Sequence, residues 1–180
     1  KVLAMLPMVS DIAEFRTARW IWDEEALALG IAPCPLGIMI EVPSAALLAE
    51  AFAKEAAFFS VGSNDLTQYV LAMDRGHPKL APQVDGLHPA VLQLIARTVE
   101  ATHRHGKWVG VCGGIASDEL AVPLLIGLGV DELSVSVPAL PAIKARVRGL
   151  ELTACKELAR RALDAESPAA VRALLAEGGI

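Results

Sequence analysis

Three cysteines in 180 residues, Cys34, Cys112 and Cys155, are an odd set without metal-type spacing, so neither a disulfide framework nor a zinc site is predicted. No apolar run reaches the roughly 20 residues that a bilayer-spanning helix needs. A signal-peptide or stop-transfer pattern is also lacking. The sixteen Lys and Arg are scattered, and the net charge of -5 with a pI near 5.4 argues against nucleic acid or anionic membrane as the main partner. Hydrophobic residues, by contrast, fill 54% of the positions, and the mean hydropathy of +0.46 is enough for a large buried core. These features predict a soluble protein of the reducing cytoplasm, with no membrane insertion.

The most telling segment is Phe58-Phe59-Ser60-Val61-Gly62-Ser63-Asn64-Asp65-Leu66-Thr67-Gln68-Tyr69, an apolar strand that ends in small residues and an amide-carboxylate pair. A strand buried on both faces reads as a continuous apolar run, and polar groups gather where its loop begins. Leu36-Gly37-Ile38-Met39-Ile40 ends likewise at Glu41, and Trp108-Val109-Gly110-Val111 ends at Cys112-Gly113-Gly114. In a parallel barrel these three strand ends converge on one face, where active sites form.

Strand-like and helix-like segments alternate along the chain. Strands are predicted at Val2 to Met8, Leu36 to Ile40, Phe58 to Val61, Trp108 to Val111 and Glu132 to Val135. Asp11 with Glu14 three residues on supplies capping chemistry for a helix that runs toward Leu29 and stops at Gly30. Further helices are expected from Pro43 to Ala53, Leu66 to Met73, Pro89 to His103, Asp118 to Leu128, Ala139 to Val147, Leu152 to Leu163 and Pro168 to Leu175. A Gly- and Pro-rich loop covers Asp74 to Leu87. The alternation indicates an α/β parallel sheet, but five units fall short of a closed eight-stranded barrel of about 250 residues.

Taken alone, each candidate residue has a plain reading beside a functional one. A Glu or Asp at a strand end is most often a solvated carboxylate or a helix N-terminal charge. Glu41 and Asp65 occupy analogous ends of successive strands, however, and magnesium in phosphate-handling sites is held by a few carboxylates with waters and substrate oxygens. Asn64 fits a turn, and it also fits an anion site where a helix begins. Arg75 is by default a surface arginine, while Cys112 is readable equally as a small buried hydrophobe or as a working thiol. His103-x-His105 reads as a solvated helix end, Trp20 and Trp22 as packing residues, and Cys34 and Cys155 as structural. His77 and His88 have no assigned role. Gly62, Gly110 and Gly113 permit tight turns and close backbone approach.

Four ordered motifs, Ile38-Met39-Ile40-Glu41-Val42-Pro43-Ser44-Ala45-Ala46, Gly62 to Tyr69, Ala72-Met73-Asp74-Arg75-Gly76 and Gly110-Val111-Cys112-Gly113, resemble the phosphoenolpyruvate-binding barrel of enzyme I of the bacterial sugar phosphotransferase system. The resemblance runs from Met5-Leu6-Pro7-Met8 to about Arg148. The stretch Tyr69 to Gly76 resembles the enzyme I portion of multiphosphoryl transfer proteins most. Pyruvate phosphate dikinase and phosphoenolpyruvate synthase share much of the pattern and are the rival assignment, with a non-catalytic structural fragment as a third.

The resemblance implies a TIM barrel of the phosphoenolpyruvate/pyruvate type, with residues 1–180 as its C-terminal part and Met5 to Met8 in its fourth strand, so that strands four to eight are present. It implies a phosphotransferase that uses Mg2+ to pass a phosphoryl group from phosphoenolpyruvate to a histidine on a separate domain, leaving pyruvate, and then to a phosphocarrier protein in sugar uptake. Glu41 and Asp65 would hold the metal, and Asn64, Asp65 and Arg75 the substrate. Cys112 would be the catalytic acid that protonates the enolpyruvate carbon. None of the four His has the family's phosphoacceptor setting, so the chain alone is expected to be inactive. A homodimer formed through the barrel is implied as well. One departure stands out: Gly114 occupies a position where enzyme I usually has Glu.

Overall fold

The computed structural model describes residues 2–177 and contains one five-stranded sheet with every neighbouring pair parallel. The strands are β1 (Ala4–Leu6), β2 (Leu36–Ile40), β3 (Phe59–Gly62), β4 (Val109–Cys112) and β5 (Glu132–Leu133), and their spatial order is their chain order. A doubly wound sheet reverses its strand order at a switch point. Here the order never reverses, as in a partial (β/α) barrel whose helices cover one side.

Register and alternation divide the sheet into two faces. Ile38 pairs with Phe59 and Phe59 with Val109, while Ile40 pairs with Val61 and Val61 with Val111. These six side chains are fully buried and form the centre of the core under the helices. Each contributes about 1.5–3 kcal/mol by leaving water, which makes this face the main source of stability. The opposite face carries small or polar residues: Met39 beside Ser60, Ser60 beside Gly110, Gly110 beside Glu132, and Gly62 beside Cys112.

The helices are α1 (Ile12–Ala28), α2 (Pro43–Leu47), α3 (Ala49–Ala53), α4 (Ser63–Leu71), α5 (Pro89–Arg104), α6 (Val122–Gly127), α7 (Leu140–Arg148), α8 (Leu152–Leu163) and α9 (Pro168–Glu177). The expected capping box opens α1: Asp11 accepts from the Ala13 and Glu14 amides, and Glu14 reaches back to the Asp11 amide. Gly30 follows with φ +66°, a left-handed exit suited to glycine. Among the described residues, no helix is long and apolar enough to cross a membrane.

Several boundaries differ from the sequence reading. The first strand is Ala4–Leu6, because Pro7 has no amide to donate and Met8 turns to φ +54°. The helix from Pro43 breaks at Leu48, and the segment after Asp118 becomes helical only from Val122, preceded by a 3-10 turn over Gly114–Ser117. The last strand is only Glu132–Leu133. Trp20, expected to pack, is 64% exposed, whereas Trp22 packs against the core and its indole donates to the Cys34 carbonyl at 3.2 Å. Cys155 is fully buried, as expected, and burial pushes its thiol pKa up. Its carbonyl lies so close to Gly127 that a Cβ there would collide, so α6 and α8 can meet only over glycine.

Candidate active site at the carboxyl ends of the strands

Helix α4 begins at Ser63, directly after β3, three residues earlier than its sequence suggests. Asn64 and Asp65 therefore lie in the first helical turn. This turn presents backbone N–H groups and the positive end of the helix dipole at the strand end, an arrangement suited to an anion. Apolar Leu66, fully buried on the inward side, fixes which way the turn faces.

Glycines allow the three strand ends to approach. At Gly62 an added Cβ would lie 2.7 Å from Glu41 Oε2 and 3.0 Å from Met39 Sδ, so the carboxylate rests against bare backbone. Gly113, at φ +92°, leaves no room for a side chain either, since a Cβ would strike Ser63 Oγ and come within 2.9 Å of Asn64 Oδ1. Gly110 is less crowded, with only ordinary contact distances around it.

Hydrogen bonds lock these ends together. Ser63 Oγ donates to the Cys112 carbonyl at 2.6 Å, and Gly114 N donates to Asn64 Oδ1 at 2.9 Å. Because the Asn64 oxygen takes the Gly114 N–H, its amide nitrogen is the end left to donate. Gly114, the departure from the expected Glu, thus orients Asn64 through its backbone. The Cys112 thiol is half-buried and donates to the Val61 carbonyl at 3.4 Å.

Glu41 is 4% exposed, and among the described residues its one hydrogen-bond donor is the Met8 amide, at 2.7 Å from Oε1. Among the described residues no basic side chain pairs with it. A carboxylate removed from water without a countercharge is costly, and a bound cation supplies one. Asp65 instead pairs with Arg75, with Nη2 to Oδ1 at 3.0 Å. Among the described residues no three His, Cys, Asp or Glu side chains form a metal cage. Magnesium needs only one or two carboxylates besides waters and substrate oxygens, so such a cage is not a requirement for it.

Beside this rim opens a cavity of about 410 Å3, lined by Asn64, Ser63, Thr67 and Arg75 together with Asp85, Asp118 and Arg172. The structure thus brings Asn64 and Arg75 to one cavity, and Ser63 and Asn64 bond the β3 end to Cys112 and Gly114. Neither Glu41, Asp65 nor Cys112 lines that cavity. Sequence reasoning missed Ser63, Gln68 and Arg172. Gln68 Oε1 accepts from the Arg75 amide at 3.1 Å, and its spacing seven residues before Arg75 carries no local signal. His88, left without a role, caps α5 by accepting the Ala90 amide at 3.1 Å. His103 and His105 do not point to one centre: they contact Asp131 at 2.8 Å and Glu50 at 2.6 Å respectively.

A parallel, sequential α/β sheet with carboxylates, an amide and a thiol at its carboxyl-end rim defines an enzyme-type partial barrel. The chain belongs to the PEP-utilising enzyme, PEP-binding domain family, whose model matches residues 1–152. It is 54% identical over 174 residues to a multiphosphoryl transfer protein of Rhodobacter capsulatus, covering 97% of this chain and 21% of that protein. A multiphosphoryl transfer protein of Xanthomonas campestris pv. campestris is 49% identical over 173 residues, with 96% and 21% covered. A phosphoenolpyruvate-protein phosphotransferase of Staphylococcus aureus is 44% identical over 170 residues, with 91% and 30% covered. The chain therefore spans only a fifth to a third of the length of these relatives. Among solved structures, a citrate lyase from Burkholderia xenovorans matches 96% of this chain and 60% of its own at a TM-score of 0.61 and 19% identity, a likeness of fold alone.

Proposed function

We propose that residues 1–180 are the C-terminal part of a phosphoenolpyruvate barrel, strands four to eight, in a phosphoenolpyruvate-protein phosphotransferase. The full-length protein carrying this chain moves a phosphoryl group from phosphoenolpyruvate to a histidine on a separate domain and then to a phosphocarrier protein of sugar uptake. The observation that carries this reading is the joining of the β3 and β4 ends: Gly114 N donates to Asn64 Oδ1 and Ser63 Oγ to the Cys112 carbonyl, while the Glu41 carboxylate rests against Gly62. The names borne by relatives 44–54% identical to the chain support it.

In this reading the Asn64 amide nitrogen and the Arg75 guanidinium hold the phosphoryl oxygens, Arg75 as a planar fork. Glu41 and Asp65 hold Mg2+, which when bound offsets the charge gathering on the phosphoryl oxygens. Before substrate binds, Asp65 and Arg75 neutralise each other; the phosphoryl group then competes for the guanidinium. The P–O bond to the enol oxygen breaks as an N–P bond forms at the acceptor histidine. The enolate then takes the Cys112 thiol proton at its methylene carbon, giving pyruvate and a thiolate. In the reverse direction the thiolate takes the proton back from the methyl carbon of pyruvate, so one group serves as acid and base.

The same reading puts its work in the cytoplasm, where the carriers of such a relay act, and makes it a homodimer. Exposed apolar side chains along and after α1, Trp20, Leu27 and Leu29 at 64%, 75% and 70%, support self-association. Labelled phosphoenolpyruvate tests the function: label should reach a histidine and then a carrier protein in the full-length protein, but not with the 180-residue chain alone. Absence of labelled histidine in the full-length protein would refute the assignment.

A further inference from the structure

Helix α9 lies beyond the matched family model, yet one of its side chains reaches the cavity that Asn64 and Arg75 line. Arg172 grips Asp85 as a fork: Nη2 lies 2.9 Å from both carboxylate oxygens and Nε 3.3 Å from Oδ2. The pair joins residues 87 apart in sequence. Its neighbour Val171 is fully buried in the core, so the arginine projects from an anchored helix. Asp85 is partly buried, its side chain 22% exposed, and it also accepts the Leu87 amide at 3.0 Å.

Asp85 stands near the end of the segment 74–87 that begins with Asp74 and Arg75. Most of residues 74–83 are exposed, and the segment's regular structure is a single 3-10 turn, Ala81–Gln83. Among the described residues, three side chains from outside hold it by polar bonds, one of them Asp65 of α4 on the Arg75 guanidinium. Gln68 of α4 takes the Arg75 amide, and Arg172 of α9 takes Asp85 at the far end. Buried Leu87 adds apolar anchorage where the segment enters α5. A loop that carries a substrate-binding arginine must be held to geometry, because small misplacements of a binding group cost catalysis.

We propose that Arg172 is a positioning residue for phosphoenolpyruvate: through its fork on Asp85 it fixes segment 74–87, and with it Arg75, at the cavity beside the rim. The proposal rests on the phosphoenolpyruvate reading of the site. Arg172 does not touch the reacting atoms; its effect passes through Asp85 and the loop backbone. Lysine at this position would keep the charge but lose the fork. Helices α8 and α9 thereby belong to the working unit, and the barrel's C-terminal appendage acts on its substrate loop.

The test uses the full-length protein with Arg172→Ala, Arg172→Lys, Asp85→Ala and the Arg172→Ala/Asp85→Ala double variant. Arg172→Ala should raise KM for phosphoenolpyruvate about three- to fivefold, the range of a good half-exposed ion pair, with kcat moving less. Arg172→Lys should recover part of the loss, and the double variant should be no worse than Asp85→Ala alone. Hydrogen–deuterium exchange at 74–87, without substrate, should quicken in Arg172→Ala. An unchanged KM in Arg172→Ala, or additive losses in the double variant, overturns the proposal. If the wild-type protein does not consume phosphoenolpyruvate, the functional reading fails instead, and unchanged exchange at 74–87 then overturns the latch independently.

Discussion

The two ends of the sheet are built on opposite rules. At the amino end, the Phe58 and Trp108 rings stack at 4.8 Å between centroids and 8° between planes, and Gly37 lies under the Phe58 ring. Polar groups near that end go to one another: His105 and Arg104 to Glu50, and His103 to Asp131, which also accepts the Val109 amide at 2.8 Å. At the carboxyl end glycines admit Glu41 and Asn64 to bare backbone, and among the described residues no basic side chain pairs with Glu41. One end turns its rings and ion pairs onto one another, while the other gathers an unpaired carboxylate, an amide and a thiol at the strand ends. In barrel folds that division separates stability from catalysis.

Substitutions sharpen the contrast. The largest effect is expected for Cys112→Ala in the full-length protein: if the thiol is the proposed general acid, its loss lowers pyruvate formation about 10²–10⁴-fold. Steady-state kinetics beside calorimetric titration should show substrate affinity nearly intact, because in the proposed mechanism the thiol acts on carbon. Glu41→Gln comes next. If Glu41 is one of the few proposed metal donors, its loss should weaken Mg2+-dependent phosphoenolpyruvate binding at least about tenfold, by analogy with the 10–100-fold cost of disturbing a metal's outer partners. A magnesium titration at fixed substrate checks it, and an unshifted midpoint would remove Glu41 from the metal.

The amino end should respond in stability alone. Gly37→Ala would set a Cβ 2.6 Å from a Phe58 ring atom that the Trp108 stack holds in place. Overpacking of this kind costs about 1–3 kcal/mol, visible in urea unfolding, with KM unchanged. The smallest effect concerns pH. The His105 hydrogen bond, with help from Arg104, holds the Glu50 carboxyl below its ordinary range. A depressed carboxylate stabilises the fold above its unfolded pKa and loses that contribution as pH falls through the folded value. Glu50→Gln should therefore flatten the acid limb of a stability profile below about pH 4 slightly, because the pair is exposed and screened.

Much of this contrast was legible in the sequence because doubly buried strands write themselves as apolar runs. Leu36 to Ile40 and the box of Asp11 and Glu14 were placed correctly for that local reason. Helix α4 was misplaced because Ser63, Asn64 and Asp65 are equally at home in a turn; what makes them helical is the junction with the β4 end, through Ser63 and Gly114. Trp20 was misread because an apolar residue says that it prefers cover, not that cover is present. The hold of Arg172 on Asp85 could not be found from spacing at all, since only the packing of α9 brings the two together.

The most direct test of the central claim, that the carboxyl-end rim holds a metal and the phosphoryl group side by side, is phosphorus resonance spectroscopy with Mn2+ in place of Mg2+. In the full-length protein, the phosphoenolpyruvate phosphorus line should broaden strongly through the bound paramagnetic ion. The Glu41→Gln/Asp65→Asn double variant should lose that protein-dependent broadening. Broadening equal to wild type in the double variant would place the metal elsewhere and contradict the account.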